Sequence, residues 1–237
     1  MASAIRSQAA YLLHSRPFRD SSLLLDFLTR DHGRISAIAR GARNAKSKNK
    51  ALLQAFIPLQ VDLTGKSELL TLTQVEALSR PLIFQQRKLF AALYLNELLT
   101  RLLHRQEGDP EVFSLYEQTL GSLSEQAEIE PVLRCFEIDL LELLGYGIDF
   151  SLVDEAAEND SGERYYHFSA ENSFERISNP EDSAQKYYPH NELCRISLKD
   201  FRDASTLKFA KRLLRTAFSS HLGDKELTSK RLFKKNN

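Results

Sequence analysis

Cysteine is scarce. The chain has two in 237 residues, Cys135 and Cys194, too few for a disulfide scaffold or a cysteine-based zinc site. Cys135 sits inside an apolar helical pattern and reads as a buried, reduced thiol. The six histidines are scattered, and no two stand at the i, i+4 spacing that puts two imidazoles on one helical face. No metal is therefore expected. No apolar run approaches the roughly 18 residues that span a bilayer, and the opening "MASAIRSQAA" lacks the apolar core of a signal peptide. The expectation is a cytoplasmic protein with no membrane partner. Catalytic signatures are missing too. "GKS" at 65–67 resembles the end of a phosphate-binding loop, but the required earlier glycine is replaced by Gln60, and a strand pattern comes after Ser67 where a helix is needed. "GYG" at 145–147 lacks a third glycine and comes after a helix, and there is no G-x-S-x-G or H-E-x-x-H. A protein without catalysis or cofactor is expected.

Net charge is zero, with 32 basic and 32 acidic residues, yet this is a cancellation between regions. Residues 1–80 carry a net +6, residues 81–194 a net −14 and residues 195–237 a net +8. Such asymmetry bears on partners more directly than the isoelectric point does. The sharpest local feature is "ARGARNAKSKNK" at 39–50. Residues 32–61 hold six cations, Arg34, Arg40, Arg43, Lys46, Lys48 and Lys50, and no acid.

The first eighty residues read as β. "AYLLHS" (10–15), "SSLLLDFLT" (21–29), "GRISAIAR" (33–40), "FIPLQVDLT" (56–64) and "ELLTLTQVEAL" (68–78) are short apolar or alternating runs separated by turn residues. Five short strands in so little chain suggest a small closed or nearly closed barrel, with the basic run as a protruding excursion between strands three and four. Near residue 80 the period changes to 3.6. "QQRKLFAALYLNELLTRLLHR" places Leu89, Ala92, Leu93, Leu99 and Leu103 on one stripe. Asp109 and Pro110 form a helix start, Gly145 ends a third pattern beginning near Pro131, and Gly223 stops a last amphipathic helix over 206–223. Residues 151–192 read as acidic and irregular, with short strands possible around "RYYHFS". The fold class is α+β, with a β domain over 1–80 and a helical one over 81–237.

Three places invite function. A small barrel with a basic excursion and nearby Tyr11, Phe18, Phe27 and Phe56 has the parts of a single-strand-binding surface, cations for phosphates and aromatic faces for bases. Taken one by one, those aromatics fit the barrel core better than a stacking platform. In the last helix Lys208, Lys211, Arg212 and Arg215 make a basic stripe that is either a solvated face or an anion-binding one, while Ala210, Leu213, Leu214 and Ala217 face inward. Arg134 stands among Ile138 and Leu141 at helical spacing. Spacing alone favours an internal pair with Glu130 or Glu137, although an arginine fork beside apolar pockets also suits a carboxylate ligand.

Several segments together resemble the RecO family of bacterial recombination mediators. "AYLLHSRPFRDSSLLLDFLTRDHGRISAIARGAR" resembles its start, "LYLNELLTRLL" and "LRCFEIDLLELLGYGIDF" its helical segments, and "TLKFAKRLLR…HLGDKELTSKRLF" its C-terminal part, in order from about residue 9 to 233. The resemblance implies an N-terminal OB-fold and a C-terminal helical domain. It also implies binding of single- and double-stranded DNA, annealing of complementary strands, and, with RecR, help in loading RecA onto strands coated by single-stranded-DNA-binding protein, in a cytoplasmic, nucleoid-associated setting. By the same resemblance the DNA contacts fall on Arg40 and Arg43, with Arg34, Lys46, Lys48 and Lys50 added on charge. Arg134 stands in the matching "LR-x-FE" segment and becomes a contact to the acidic C-terminal tail of the coating protein, joined by Lys208, Lys211 and Arg215. Some members carry a four-cysteine zinc module in the helical domain; here the stretch at about 150–194 keeps only Cys194 and is acidic, so zinc is not expected. Two other readings are an adaptor that grips acidic tails and meets DNA only incidentally, and an RNA-binding OB protein.

Overall fold

The computed structural model describes residues 3–45, 47–125, 128–155, 164–178, 187–223 and 227–229. Strands β1 (Ser3–Phe18), β2 (Ser22–Thr29), β3 (Gly33–Ala39), β4 (Leu59–Gly65) and β5 (Leu69–Ala77) close into a barrel in the order β1-β2-β3-β5-β4. All pairs are antiparallel except β3 with β5. The fold is α+β, an OB-fold barrel followed by helices. Alternation builds the barrel core: Leu59, Val61 and Leu63 of β4 point inward with Leu25 and Phe27 of β2 and Ile35 and Ala37 of β3. Each Leu, Val, Ile or Phe side chain among them taken fully out of water contributes roughly 1.5–3 kcal/mol.

β1 is longer than its apolar run. Its first residues, Ser3–Ala9, pair along β4, and it then turns along β2, with register shifts between Ile5 and Gln8 and between Leu12 and His14. At the first shift Asp62 accepts from the Ser7 amide (2.7 Å) and Arg6 Nη1 (3.0 Å), bonds that hold its carboxyl below the usual aspartate range. At the second, both faces of β1 are covered. Ala10 and Leu12 enter the barrel core, while Tyr11 packs outside it against Phe113 and Tyr116. That two-sided burial is why "AYLL" is continuously apolar.

Helices α1 (Gln86–Leu102) and α2 (Pro110–Ser124) supply the outer cover; α1 packs on β1 and α2 on α1. Asn96 Nδ2 donates to the Leu13 carbonyl (3.1 Å) and its Oδ1 accepts from Tyr116 Oη (2.5 Å), so a buried amide is satisfied at the β1 bulge. Because α1 is covered on two sides, its buried face is broader than the expected stripe: Ala91, Ala92, Leu95, Leu98, Leu99 and Leu102 are buried, whereas Leu89, Leu93 and Leu103 lie at its margin. Asp109 caps α2 by accepting from the Glu111 and Val112 amides, with Pro110 following.

The chain forms two compact units, Met1–Ala127 with Glu226–Asn237, and Glu128–Lys225. The period change near residue 80 marks where strands give way to helices, and the first two helices belong to the barrel's unit. The second unit contains α3 (Ile129–Leu143), α4 (Ser151–Glu155), α5 (His190–Ser197) and α6 (Ala204–Leu222). It also holds a three-stranded sheet of order β7-β6-β8, from β6 (Tyr165–Ser169), β7 (Ser173–Ile177) and β8 (Tyr187–Pro189). The acidic stretch read as irregular is therefore ordered over much of its length, because Tyr166, Phe168, Phe174 and Tyr188 bury one face of that sheet. Residues 156–163 and 179–186 lie outside the described residues. α6 turns Ala210, Leu213, Leu214 and Ala217 inward and ends at Gly223 with φ 65°, as α3 is followed by Gly145 with φ 77°.

Candidate nucleic-acid interface

The hairpin pairing brings two separate basic turns to one end of the barrel. β1 and β2 pair from Phe18↔Ser22 inward, and Leu23 of β2 lies opposite Ala39 of β3. The β1–β2 turn (19–21) thus lies beside the segment that leaves β3. Arg43 joins them. Its amide donates to the Ser21 carbonyl (2.9 Å), and its Nη1 reaches the carbonyls of Arg19 (3.2 Å) and Asp20 (3.1 Å). Arg40 and Arg43 are exposed on either side of Ala42, which is 2% exposed and belongs to the barrel core. Arg19 is exposed with its guanidinium 5.3 Å above the Phe18 ring, and Arg16 is exposed on β1.

The basic run is thereby more anchored than a protruding loop. Gly41, at φ 65°, makes the turn that sends Ala42 inward; Lys48–Ala51 form a 3-10 turn; Leu53 and Ile57 re-enter the core. Lys50 is exposed on that turn, while Lys46 and the side chain of Lys48 lie outside the described residues. Among the described residues none of Arg16, Arg19, Arg40, Arg43 or Lys50 takes part in an ion pair. Their charge is available to an external anion. Arg43 spends one nitrogen on two carbonyls and keeps further N–H groups for a ligand.

Arg34 is not part of this cluster. It starts β3, about 20 Å from Arg40 at ~3.3 Å per residue, and its half-buried guanidinium donates to the Thr100 carbonyl at the end of α1. Burial holds it below the ordinary arginine range. Its local role is to fasten β3 to α1. Conversely, Arg16 and Arg19 join the cluster although "RPFRD" reads, by residue type, only as a turn. Counting the strand registers on either side of that turn places it level with "ARGAR", the one signal that reveals it. The aromatics are core: Tyr11, Phe27 and Phe56 are buried and Phe18 is half-buried under Arg19. Burial and the Glu117 carboxylate, which accepts from Tyr11 Oη at 2.9 Å, push the Tyr11 hydroxyl well up.

In the second unit Arg134 is 5% exposed and donates from Nη2 to Glu137 Oε1 at 2.7 Å, the internal pair that helical spacing favours. Lys211 reaches Glu130, one turn before Arg134 on α3, at 3.3 Å. Lys208 and Arg215 are exposed on α6. Arg212 leaves the stripe: it lies over the Tyr188 ring at 4.2 Å and the Phe209 ring at 5.0 Å. Cys135 is half-buried, and burial raises its thiol. Among the described residues no cluster of three or more His, Cys, Asp or Glu is arranged to hold a metal ion. None of the described helices is long and apolar enough to cross a membrane.

The family model for the recombination protein O N-terminal region matches residues 1–80, and that for its C-terminal region matches residues 84–231. The chain belongs to the RecO family. Relatives named DNA repair protein RecO agree over nearly the full length. That of Haemophilus influenzae is 39% identical over 229 residues, covering 97% of this chain and 96% of the relative. That of Actinobacillus pleuropneumoniae serotype 7 is 39% identical over 224 residues, covering 94% and 92%. That of Tolumonas auensis is 38% identical over 225 residues, covering 94% and 93%. The RecO N-terminal match ends three residues after β5, and the RecO C-terminal match opens just before α1.

Proposed function

We propose that this RecO-family chain is a non-enzymatic DNA-repair mediator of the cytoplasm. It binds single- and double-stranded DNA and anneals complementary strands. With RecR, it helps load RecA onto strands coated by single-stranded-DNA-binding protein. The observation that carries the reading is the group of exposed guanidinium groups, with no ion pair among the described residues, at one end of an OB-fold barrel, on a chain whose relatives are named for DNA repair. Arg40 and Arg43, held in place by the β1–β2 turn, fix backbone phosphates, Arg16, Arg19 and Lys50 add charge around them, and Lys46 and Lys48 are further proposed contacts. Neutralising phosphates on two strands lowers the repulsion that opposes their pairing. Contact with about six phosphates gives a log affinity for single strands that falls against log salt with a slope near −4, at ~0.7 per contact. Anisotropy titrations of a labelled oligonucleotide across a salt series check this; a flat line removes the electrostatic mechanism. Annealing of complementary oligonucleotides, with and without the coating protein, tests activity and partnership together.

For the partner tail, Arg134, Lys208, Lys211 and Arg215 are the proposed contacts in the second unit. The Arg134 Nε has no acceptor among the described residues, so an incoming carboxylate competes with Glu137 for the fork. Charge-assisted bonds contribute about 1.5–3 kcal/mol each, so Arg134→Ala weakens a labelled peptide ending in Asp-Asp-Asp-Ile-Pro-Phe by about tenfold or more. Unchanged affinity takes Arg134 out of the site.

A further inference from the structure

Helix α5 carries a thiol and an imidazole on one face. Cys194 Sγ lies 3.4 Å from His190 Nε2, one helical turn away and within hydrogen-bonding reach for sulfur. The small sheet holds the pair in place. Pro189 of β8 leads directly into α5, the His190 amide donates to the Arg164 carbonyl (2.9 Å), and the Tyr166 ring of β6 stands 6.0 Å from the imidazole at 33°. His190 and Cys194 are half-buried, so the site is sheltered without being sealed.

Tyr166 adds a second observation. It is 0% exposed, yet its hydroxyl has no hydrogen-bond partner among the described residues. A buried hydroxyl left unpaired costs about 1–3 kcal/mol, so the group calls for an occupant. Cys194 lies near enough to act on that hydroxyl electrostatically. So do the guanidinium groups of Arg164 and of Arg176, which faces Tyr166 across the β6–β7 ladder. Burial pushes the phenol up, which keeps it a proton donor. A thiol thus stands beside a base, with a donor hydroxyl and two cations close by. Those are the surroundings in which a thiolate forms and reacts. Neither the DNA contacts nor the tail contacts use this group. Cys135 is the contrast: it too is half-buried, but burial and the Asp139 carboxylate one turn on push its thiol up.

We propose that Cys194 is a modification site, a nucleophilic thiol that hydrogen peroxide oxidises to a sulfenic acid. His190 Nε2 takes the thiol proton. The thiolate sulfur attacks one peroxide oxygen, forming an S–O bond as the O–O bond breaks. The departing hydroxide takes the proton back from His190 and leaves as water, so the sulfur is oxidised and the peroxide reduced by two electrons. The sulfenic oxygen then accepts from the Tyr166 hydroxyl, which gains the partner it lacks.

The test uses the full chain without DNA, so its outcome is separate from the DNA-binding reading. Dilute hydrogen peroxide is added together with dimedone, and adducts at Cys194 and Cys135 are followed by peptide mass spectrometry, with Cys135 as the internal reference. Cys194 is expected to be labelled roughly a hundredfold faster, the size of general-base help from a placed histidine, and His190→Gln brings it down to the Cys135 rate. Tyr166→Phe removes only the hydroxyl, and thermal melting verifies that both variants fold. It leaves the alkylation rate of reduced Cys194 by iodoacetamide unchanged, but lowers the dimedone yield severalfold by leaving the sulfenic acid open to further oxidation. Equal labelling of the two cysteines overturns the proposal, as does an unchanged Cys194 rate in folded His190→Gln protein. An undiminished dimedone yield in Tyr166→Phe overturns the part assigned to the hydroxyl.

Discussion

Replacing Arg40 and Arg43 by glutamate lowers affinity for single-stranded DNA by roughly a hundredfold in 50 mM salt and abolishes strand annealing. Two lost phosphate contacts at ~0.7 each account for a factor of this size between 1 M and 50 mM salt, and the reversed charges add repulsion. The pair is singled out because its backbone is fixed: Arg43 is tied to three carbonyls of the β1–β2 turn through its own amide and guanidinium, and Ala42 between them is sunk in the core. Pre-positioned cations bind without the cost of ordering them on contact. Arg34→Gln is the internal comparison. That side chain is committed to the Thr100 carbonyl at the other end of β3, so its loss lowers stability and leaves the salt slope alone. Reversing Lys46, Lys48 and Lys50 to glutamate separates mediator from adaptor. Annealing of naked complementary oligonucleotides fails if these lysines meet DNA, and persists if they serve only acidic protein tails.

The second large effect lies in folding. Gly33 and Gly108 are pressed backbone to backbone where the β2–β3 turn meets the loop after α1. A Cβ on Gly33 sits 1.9 Å from the Glu107 carbonyl oxygen, and one on Gly108 sits 2.2 Å from the Asp31 carbonyl oxygen. Gly33 also has φ 61°, a conformation that costs an L-residue about 1–2 kcal/mol. Adding the cost of forcing two backbones apart, typically 1–3 kcal/mol, Gly33→Ala destabilises the barrel's unit by about 3 kcal/mol. Gly108→Ala acts through the same contact. At ~2–4 °C per kcal/mol, the melting transition of that unit falls by about 10 °C in calorimetry. With two units the unfolding is not assumed to be two-state, so that transition is tracked by itself. Gly121, in the last turn of α2 with no atom within 4 Å of a Cβ, is the control: alanine there is neutral or stabilising.

Much of this architecture could be read from residue patterns, and the exceptions have physical causes. β4 shows itself by strict alternation, and the helix ends by Asp109, Pro110, Gly145 and Gly223, because caps and stops are local chemistry. The first residues of β1 escape notice since their contribution is backbone pairing with β4, which any side chain allows. Of the β6–β7–β8 sheet only β6 shows, in "RYYHFS", and the rest is hidden by acidic flanks around a few aromatics. Its strands are three to five residues long, too short for a period to emerge. In the candidate interface, "ARGAR" announces itself by charge density, whereas Arg16 and Arg19 matter only through strand register. Arg34 shows the reverse failure: its charge is counted with the run, but three-dimensional placement spends it on α1. The Arg134–Glu137 pair is legible from spacing, while its burial comes from packing that no single helix reveals.

On α1, Glu97 accepts from the Thr228 amide (2.8 Å), the Ser229 amide (2.8 Å) and the Ser229 hydroxyl (2.6 Å), a clasp within the barrel's unit that sets an order of events as the chain is made. Residues 128–225 are contiguous and emerge from the ribosome together, so the second unit has all its parts while the first still lacks Leu227, Thr228 and Ser229. Since domains fold as units during synthesis, Glu97 spends that interval facing water, and the barrel's unit is sealed only afterwards.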